Sequence, residues 1–198
     1  MNRSKLILIG AGGHARACID VIEQEGRYQI AGLIGTSEEL GSSHCGYQVI
    51  GADQSLAQLR SHYQYALIGV GQIRSPVVRM RLFKQLLDLG FKLPVVVAPT
   101  AYVSPNAKIG QGSIVMHGAV VNAGAQVGDN CIINSRALIE HDVVVHDNCH
   151  VATGAILNGN VVLGEESFVG SGSIVRERLN VARGSLLSMG SIIKKIGN

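Results

Sequence analysis

At 198 residues the chain is long enough for one large domain or two small ones, each able to bury its own core. It is 46% hydrophobic yet 4% aromatic, with no Trp and 25 Gly, so its apolar weight falls on Val, Ile, Leu and Ala, which favours thin, repetitive packing. A formal net charge of +3, with no Lys/Arg-rich run carrying interleaved aromatics, argues against a nucleic-acid partner, and Lys194 and Lys195 read as a solvated tail.

The opening MNRSKLILIGAGG pairs a basic start with an apolar run, but Leu6 to Ile9 is too short for the core of a secretory leader. No stretch approaches the roughly 18 consecutive apolar residues of a bilayer span. The expectation is a cytoplasmic protein without membrane insertion. KLILIG reads as a strand, followed by a glycine loop and an amphipathic helix from about Ala15 to Glu25. IAGLIG and YQVIG follow as strands, SLAQLRSHY as a helix, YALIGVG as a strand, and SPVVRMRLFKQLLDLG as a helix opened by Pro76 and closed by Gly90. Strands alternating with helices predict a small, open parallel sheet.

A different rule takes over further along. Written in sixes from Val103, all sixteen first positions are Val, Ile or Leu, and the fifth position is small except at Val143, Val161 and Leu179, which are 18 residues apart. A period of six fits neither a helix nor an alternating strand. It fits a parallel β-helix in which each hexad forms one side of a triangular coil, with the first residue inward and the small fifth residue where sides crowd. Three hexads make an 18-residue coil, so Cys131 and Cys149 become stacked, reduced core thiols. Residues before Val103 are read as lying outside the repeat, with a boundary near Pro94 to Pro99 that divides the chain into domains 1–96 and 97–198.

The loop Gly10-Ala11-Gly12-Gly13-His14-Ala15 satisfies G-x-G-x-x-A between a strand and a helix start, where free backbone N–H groups favour a phosphate; the other reading is a turn that serves only close strand–helix packing. A dinucleotide site would also want an acidic residue at the end of the second strand, where this chain has Gly35 and Thr36. That argues against an NAD-dependent dehydrogenase.

GAGGHAR, the later GVGQIR with Arg74, and a hexapeptide β-helix containing INSRALIEHD together resemble the bacterial sugar acetyltransferases of the sialic acid O-acetyltransferase and nucleotide-sugar N-acetyltransferase family, over essentially the whole chain. The resemblance implies an α/β Rossmann-like domain followed by a left-handed parallel β-helix, acetyl-CoA as co-substrate, a nucleotide-sugar acceptor, and a homotrimer with active sites between subunits. It also implies residues. Gly10, Gly12, Gly13, His14 and Arg74 would hold the substrate, joined by Asn134. His141 would be the catalytic base with Asp142 as its acidic partner, His150 would lie near the thioester, and Gly159 and Gly172 would admit the pantetheine arm.

The residues themselves carry part of this. His141 occupies the third position of its hexad, pointing outward, and an ordinary imidazole accepts a proton near neutrality. Asp142 and Glu140 are both candidates to fix its tautomer. Asn134 and His150 can equally be packed corner residues, and His117 and His146 read as corner decoration. His141, His146 and His150 fall at different hexad positions and diverge, so no metal site is expected. The chain departs from the family pattern at Gly35-Thr36, which casts doubt on a uridine nucleotide, and in ending at KKIGN without a G-x-P-A-like tail. The expected activity is N-acetylation of a nucleotide-linked 4-amino-4,6-dideoxy sugar by direct transfer. O-acetylation of sialic acid or another glycan precursor is the alternative, and a non-catalytic scaffold is a third reading.

Overall fold

The computed structural model describes residues 3–195; the first two residues of the MNRSKLILIGAGG opening and the last three of the KKIGN ending lie outside the described residues. β1 (Ser4–Ile9), α1 (Gly13–Glu25), β2 (Tyr28–Gly35), β3 (Ser43–His44), β4 (Tyr47–Ala52), α2 (Leu56–Leu59), β5 (Tyr65–Ile68) and α3 (Val77–Asp88) build the N-terminal part. The sheet order is β3-β4-β2-β1-β5, parallel except for the β3–β4 edge hairpin.

Alternation along β1 explains why it is central. Leu6 and Leu8 face one side, where they meet Ala15, Cys18, Ile19 and Ile22 of α1, while Ile7 and Ile9 face the other and meet Leu82 and Leu86 of α3. The helix read from SLAQLRSHY shrinks to the single turn α2: Ser61 bonds through both its amide and its hydroxyl to Gln58 O, a local pairing that ends the helical ladder. α1 begins at Gly13, two residues before the sequence expectation, with Gly12 as its N-cap.

From Val96–Val97 to Ile192–Ile193, two-residue strands recur every six residues and stack as three parallel sheets in the left-handed β-helix. Partners are 18 residues apart, as in Ile132 with His150 and Leu138 with Ile156. First-position residues from Val115 to Val181 and fifth-position Ala119, Ala125, Cys131, Ala137, Val143, Cys149, Ala155 and Val161 form one buried core. The repeat starts a hexad earlier than the sequence reading placed it. Val97 and Ala101, first and fifth residues of VAPTAY, pack against the same core, and Val96–Val97 pairs with Ile114–Val115. Two of the chain's prolines obscure that hexad's neighbourhood, but Pro99 falls at a corner where no ladder bond is needed.

The two parts share a core. One face of the coil, through Ile114, Met116 and Ile132, packs on α1, so this helix is covered by the sheet on one side and the coil on the other. Arg79 of α3, only 1% exposed, crosses the junction: its guanidinium donates to Ile68 O (2.7 Å) and Val70 O (2.9 Å) of the sheet and to Asn130 O (3.2 Å) and Gly112 O (3.4 Å) of the coil.

Candidate active site

His141 and Asp142 sit on the corner between the Leu138–Ile139 and Val144–Val145 strands. Asp142 has φ +59, the left-handed conformation that turns each corner, and this folds its carboxylate back beside the preceding imidazole. Nδ1–H of His141 donates to Asp142 Oδ2 at 2.9 Å, which leaves Nε2 as the acceptor nitrogen. Glu140 takes a different job: its Oε2 accepts from Asn122 Nδ2 (3.0 Å) and from the His141 amide (3.2 Å), bracing the corner. Behind it, Val143, Val161 and Leu179 pack against the coil core. The three larger fifth-position residues thus stack at one corner and fill the interior beneath the imidazole.

The His141 ring lies over Gly159, one coil above. A Cβ on Gly159 would stand 2.6 Å from His141 Nε2, so the missing side chain makes room for the imidazole. The two line an open cleft of about 660 Å³ with Glu140, Asn158, Asn160, Glu177 and Arg178. Gly172 lies elsewhere: it turns a different corner, with φ +68 and its amide bonded to Thr153 O. Gly159, Gly172 and His150 therefore do not converge in one protomer, because their hexad offsets put them on different edges of the triangle.

His150 projects outward from the coil face that carries the N-terminal part. Its Nδ1–H donates to Gln72 O (2.5 Å), Asn134 Nδ2 donates to its Nε2 (3.1 Å), and Phe168 meets its ring edge-on at 5.1 Å. Burial, together with the Arg79 charge, pushes His150 down to about 4, against the opposing pull of the Gln72 carbonyl. It is a neutral imidazole at physiological pH. Asn134 and His150 are thus brought together, tied to the loop after β5 rather than to His141.

A second cleft, about 370 Å³, opens at the carboxyl ends of β1, β2 and β5, the place where parallel sheets bind ligands. Gly10, Gly12, Gly13 and His14 line it. Gly10, at φ +118, passes so close to Gly69 and Val70 that a side chain would meet both. His14 is pushed down to about 3 by burial first and by Arg79 and His150 next, and its buried Nε2 has no hydrogen-bond partner. Arg74 is exposed and does not line the cleft; the cation that does is Arg81, paired with Asp53 at 2.9 Å. Arg74 follows β5 on an outward loop, whereas the inward turn of α3 belongs to residues 78 to 82. Sequence reasoning also missed Glu39. It lies beyond the end of β2, but the turn Ser37–Glu39 folds its carboxylate back to accept from Thr36 N (2.8 Å), so Glu39 and Asp53 supply acid beside Gly35-Thr36.

Cys131 and Cys149 are fully buried and free, and the thiol of Cys149 is raised by its hydrogen bond with Cys131 and by burial. Cys18 is pushed up to about 12 by burial. No group of three or more potential metal-ligating side chains gathers among the described residues. No described helix is long and apolar enough to cross a membrane.

The PglD N-terminal domain model matches residues 5–86, and the bacterial transferase hexapeptide model matches residues 106–141 and 124–159. The acetyltransferase domain of PglB from Neisseria gonorrhoeae is 34% identical, with a TM-score of 0.89 over 100% of this chain and 94% of that one. PerB from Caulobacter crescentus, solved with CoA and GDP-perosamine, is 28% identical with a TM-score of 0.89 over 97% of this chain and 89% of that one. A mimivirus protein, L142 from Acanthamoeba polyphaga mimivirus, is 30% identical over 108 residues, 54% of this chain but only 20% of that protein's length. With a whole-chain match at this identity, a glycine-loop domain of the matched type and the hexapeptide coil, the chain belongs to the bacterial sugar acetyltransferases built from a PglD N-terminal domain and hexapeptide repeats, and it is an acetyltransferase.

Proposed function

We propose that this acetyltransferase moves the acetyl group of acetyl-CoA directly onto the amine of a nucleotide-linked 4-amino-4,6-dideoxy sugar, with His141 as general base. The observation that carries the reading is the His141–Asp142 pair: Nδ1–H is committed to the carboxylate, which leaves Nε2 as the proton acceptor of an imidazole that lines an open cleft. The amine nitrogen attacks the thioester carbonyl carbon while Nε2 takes its proton. Asp142 stabilises the imidazolium, the carbon–sulfur bond breaks, and the departing thiolate receives the proton. The burial of Cys18, Cys131 and Cys149, which raises the thiols of Cys18 and Cys149, favours direct transfer over an acyl-enzyme.

The nucleotide belongs in the Gly10–His14 cleft, where the α1 N-terminus offers free amides to a diphosphate. Solved relatives carry acetyl-CoA in one case, and CoA with GDP-perosamine in another, which supports both substrate classes. Within one protomer the two clefts share no lining residue. A homotrimer supplies the second half of each site. Its support is the outward column Tyr102, Val120, Leu138, Ile156, Ile174 and Ile192, an apolar sheet face with no covering element among the described residues. This face is flanked by the corner that carries His141 and the corner that carries Asn134.

The test is release of CoA thiol from acetyl-CoA with UDP- and GDP-linked 4-amino-6-deoxy sugars and free sialic acid, for the wild type and His141→Ala. One amino sugar should drive turnover that the variant loses by about two orders of magnitude or more. Turnover of sialic acid alone would replace N- by O-acetylation, and equal rates for the variant would remove His141 from the chemistry.

A further inference from the structure

Arg178 turns a corner of the coil in the left-handed conformation, with φ +60 and its amide bonded to Gly159 O at 3.0 Å. Most residues in that conformation along the coil are Gly, Asn or Asp, for which it is least unfavourable. The other charged long side chains there are Glu166, which is ion-paired with Arg183, and Arg136, which is also without a side-chain partner among the described residues but does not line the His141 cleft. Arg178 makes no ion pair or side-chain hydrogen bond among the described residues, although it lines the His141 cleft. The nearby acid is engaged elsewhere: Glu177 lies 3.8 Å from the Arg176 guanidinium. Arg178 therefore combines a strained backbone, an unpartnered guanidinium and a place in the cleft, which points to a ligand as its partner.

The coil gives its reach. Asp142, Asn160 and Arg178 are successive members of one corner column, with Asn160 N bonded to His141 O and Arg178 N to Gly159 O. Two steps of about 4.8 Å put the Arg178 backbone roughly 10 Å above the His141 coil, and an extended arginine adds several ångströms more. In a 4-amino sugar the diphosphate is only a pyranose ring away from the amine. A pantetheine arm, about a dozen single bonds from sulfur to its phosphate ester, spans about 15 Å. The phosphate that this guanidinium can meet while the thioester lies at His141 is therefore that of the acyl donor.

Resting on the acetyl-CoA reading above, we infer that Arg178 is the donor-phosphate anchor of the His141 cleft: its guanidinium binds the phosphate ester end of the coenzyme, while the thioester end lies at the His141 imidazole. Arginine's planar fork suits a phosphate, and such charge-assisted bonds are among the stronger polar contacts.

Titration calorimetry of the whole protein with CoA, and separately with pantetheine, tests this without any acceptor sugar. Arg178→Ala should weaken CoA binding about tenfold or more and leave pantetheine binding unchanged, with Arg178→Lys between the two. Kinetically, the KM for acetyl-CoA should rise while kcat and the KM for S-acetylpantetheine stay put. Equal loss with both ligands, no loss with either, or a rise confined to the KM of the nucleotide-sugar would overturn the assignment. A wild type that does not bind CoA would instead sink the acetyl-CoA reading itself. Arg178→Asn, suited to the corner conformation, guards against a folding artefact and should show the same CoA defect.

Discussion

His150 Nδ1–H donates to the carbonyl oxygen of Gln72 at 2.5 Å, and the Gln72 side-chain amide donates to Asn148 O at 2.6 Å, so that coil and N-terminal loop clasp each other through neighbouring residues. Burial keeps His150 neutral against the pull of the Gln72 carbonyl, the Asn134 amide needs its Nε2 unprotonated, and His14 close by is likewise held neutral. The folded values, about 4 and about 3, lie below the ordinary 6.5. As pH falls through 6.5 the unfolded chain therefore takes up protons first, and the stability gained from these two groups, complete above that pH, is lost down to their folded values. Each histidine should contribute a slope of about 1.4 kcal/mol per pH unit in that window. Urea midpoints measured between pH 7.5 and 4.5 check it. His150→Gln, which keeps a donor for Gln72 O, should flatten the acid limb, and an unchanged limb would contradict the account.

Gly159→Ala should act on chemistry and not on folding. The new methyl would sit 2.6 Å from His141 Nε2 and 2.7 Å from Cε1, so the ring must swing away, and a displacement of about 1 Å costs on the order of a hundredfold in rate. Gly159 is buried only beneath the exposed His141 side chain, which can swing into solvent, so the melting temperature should move by less than about 2 °C. Full activity in the alanine variant would mean that the imidazole works from a different rotamer.

Arg79→Met should strip hydrogen bonds from four carbonyls at the junction, two on the sheet and two on the coil. Burial already depresses this guanidinium to about 10, a sign of how far it sits from water. Leaving buried acceptors unpaired costs about 1 to 3 kcal/mol each, so a loss of several kcal/mol in chemical denaturation is expected. Arg79→Lys should recover only part, because an ammonium cannot span the same fork of partners. A loss below about 1 kcal/mol would show that water satisfies the junction.

Leu138→Asp or Ile156→Asp should leave each coil folded, since both side chains point away from the core formed by Ile139 and Leu157. Either should lower the sedimenting mass toward a single chain and abolish turnover. Retained mass would place the self-association surface elsewhere.

Much of this was legible because the six-residue period is strict. Val or Ile at the first position and Ala, Ser or Cys at the fifth specify an inward side chain and a crowded corner at each turn, and those residues became the coil core. The hexad 97–102 was harder to see because prolines interrupt its surroundings. The fourth position also carries a signal: Gly, Asn and Asp dominate it because most corners take a left-handed residue, and Arg136, Glu166 and Arg178 stand out only against that rule. His141 and Asp142 were legible as adjacent polar corner residues. Glu39 and Arg81 were not, since their approach to the glycine loop depends on a short turn and on one helix face rather than on local sequence. Arg74 lies outside that cleft in the protomer because it follows β5 on an exposed loop.

The stacking rule has a further consequence for how such enzymes can change. Side chains of the coil keep their facing only when length changes by whole turns, as the 18-residue pairing of Ile132 with His150 requires. A single inserted residue would rotate every later position out of register. The span from the acetyl-transfer corner to the anchoring arginine can therefore lengthen or shorten only in increments of about 4.8 Å. The coil is a molecular ruler with fixed graduations, and a donor with a longer or shorter arm would call for the addition or removal of a complete turn.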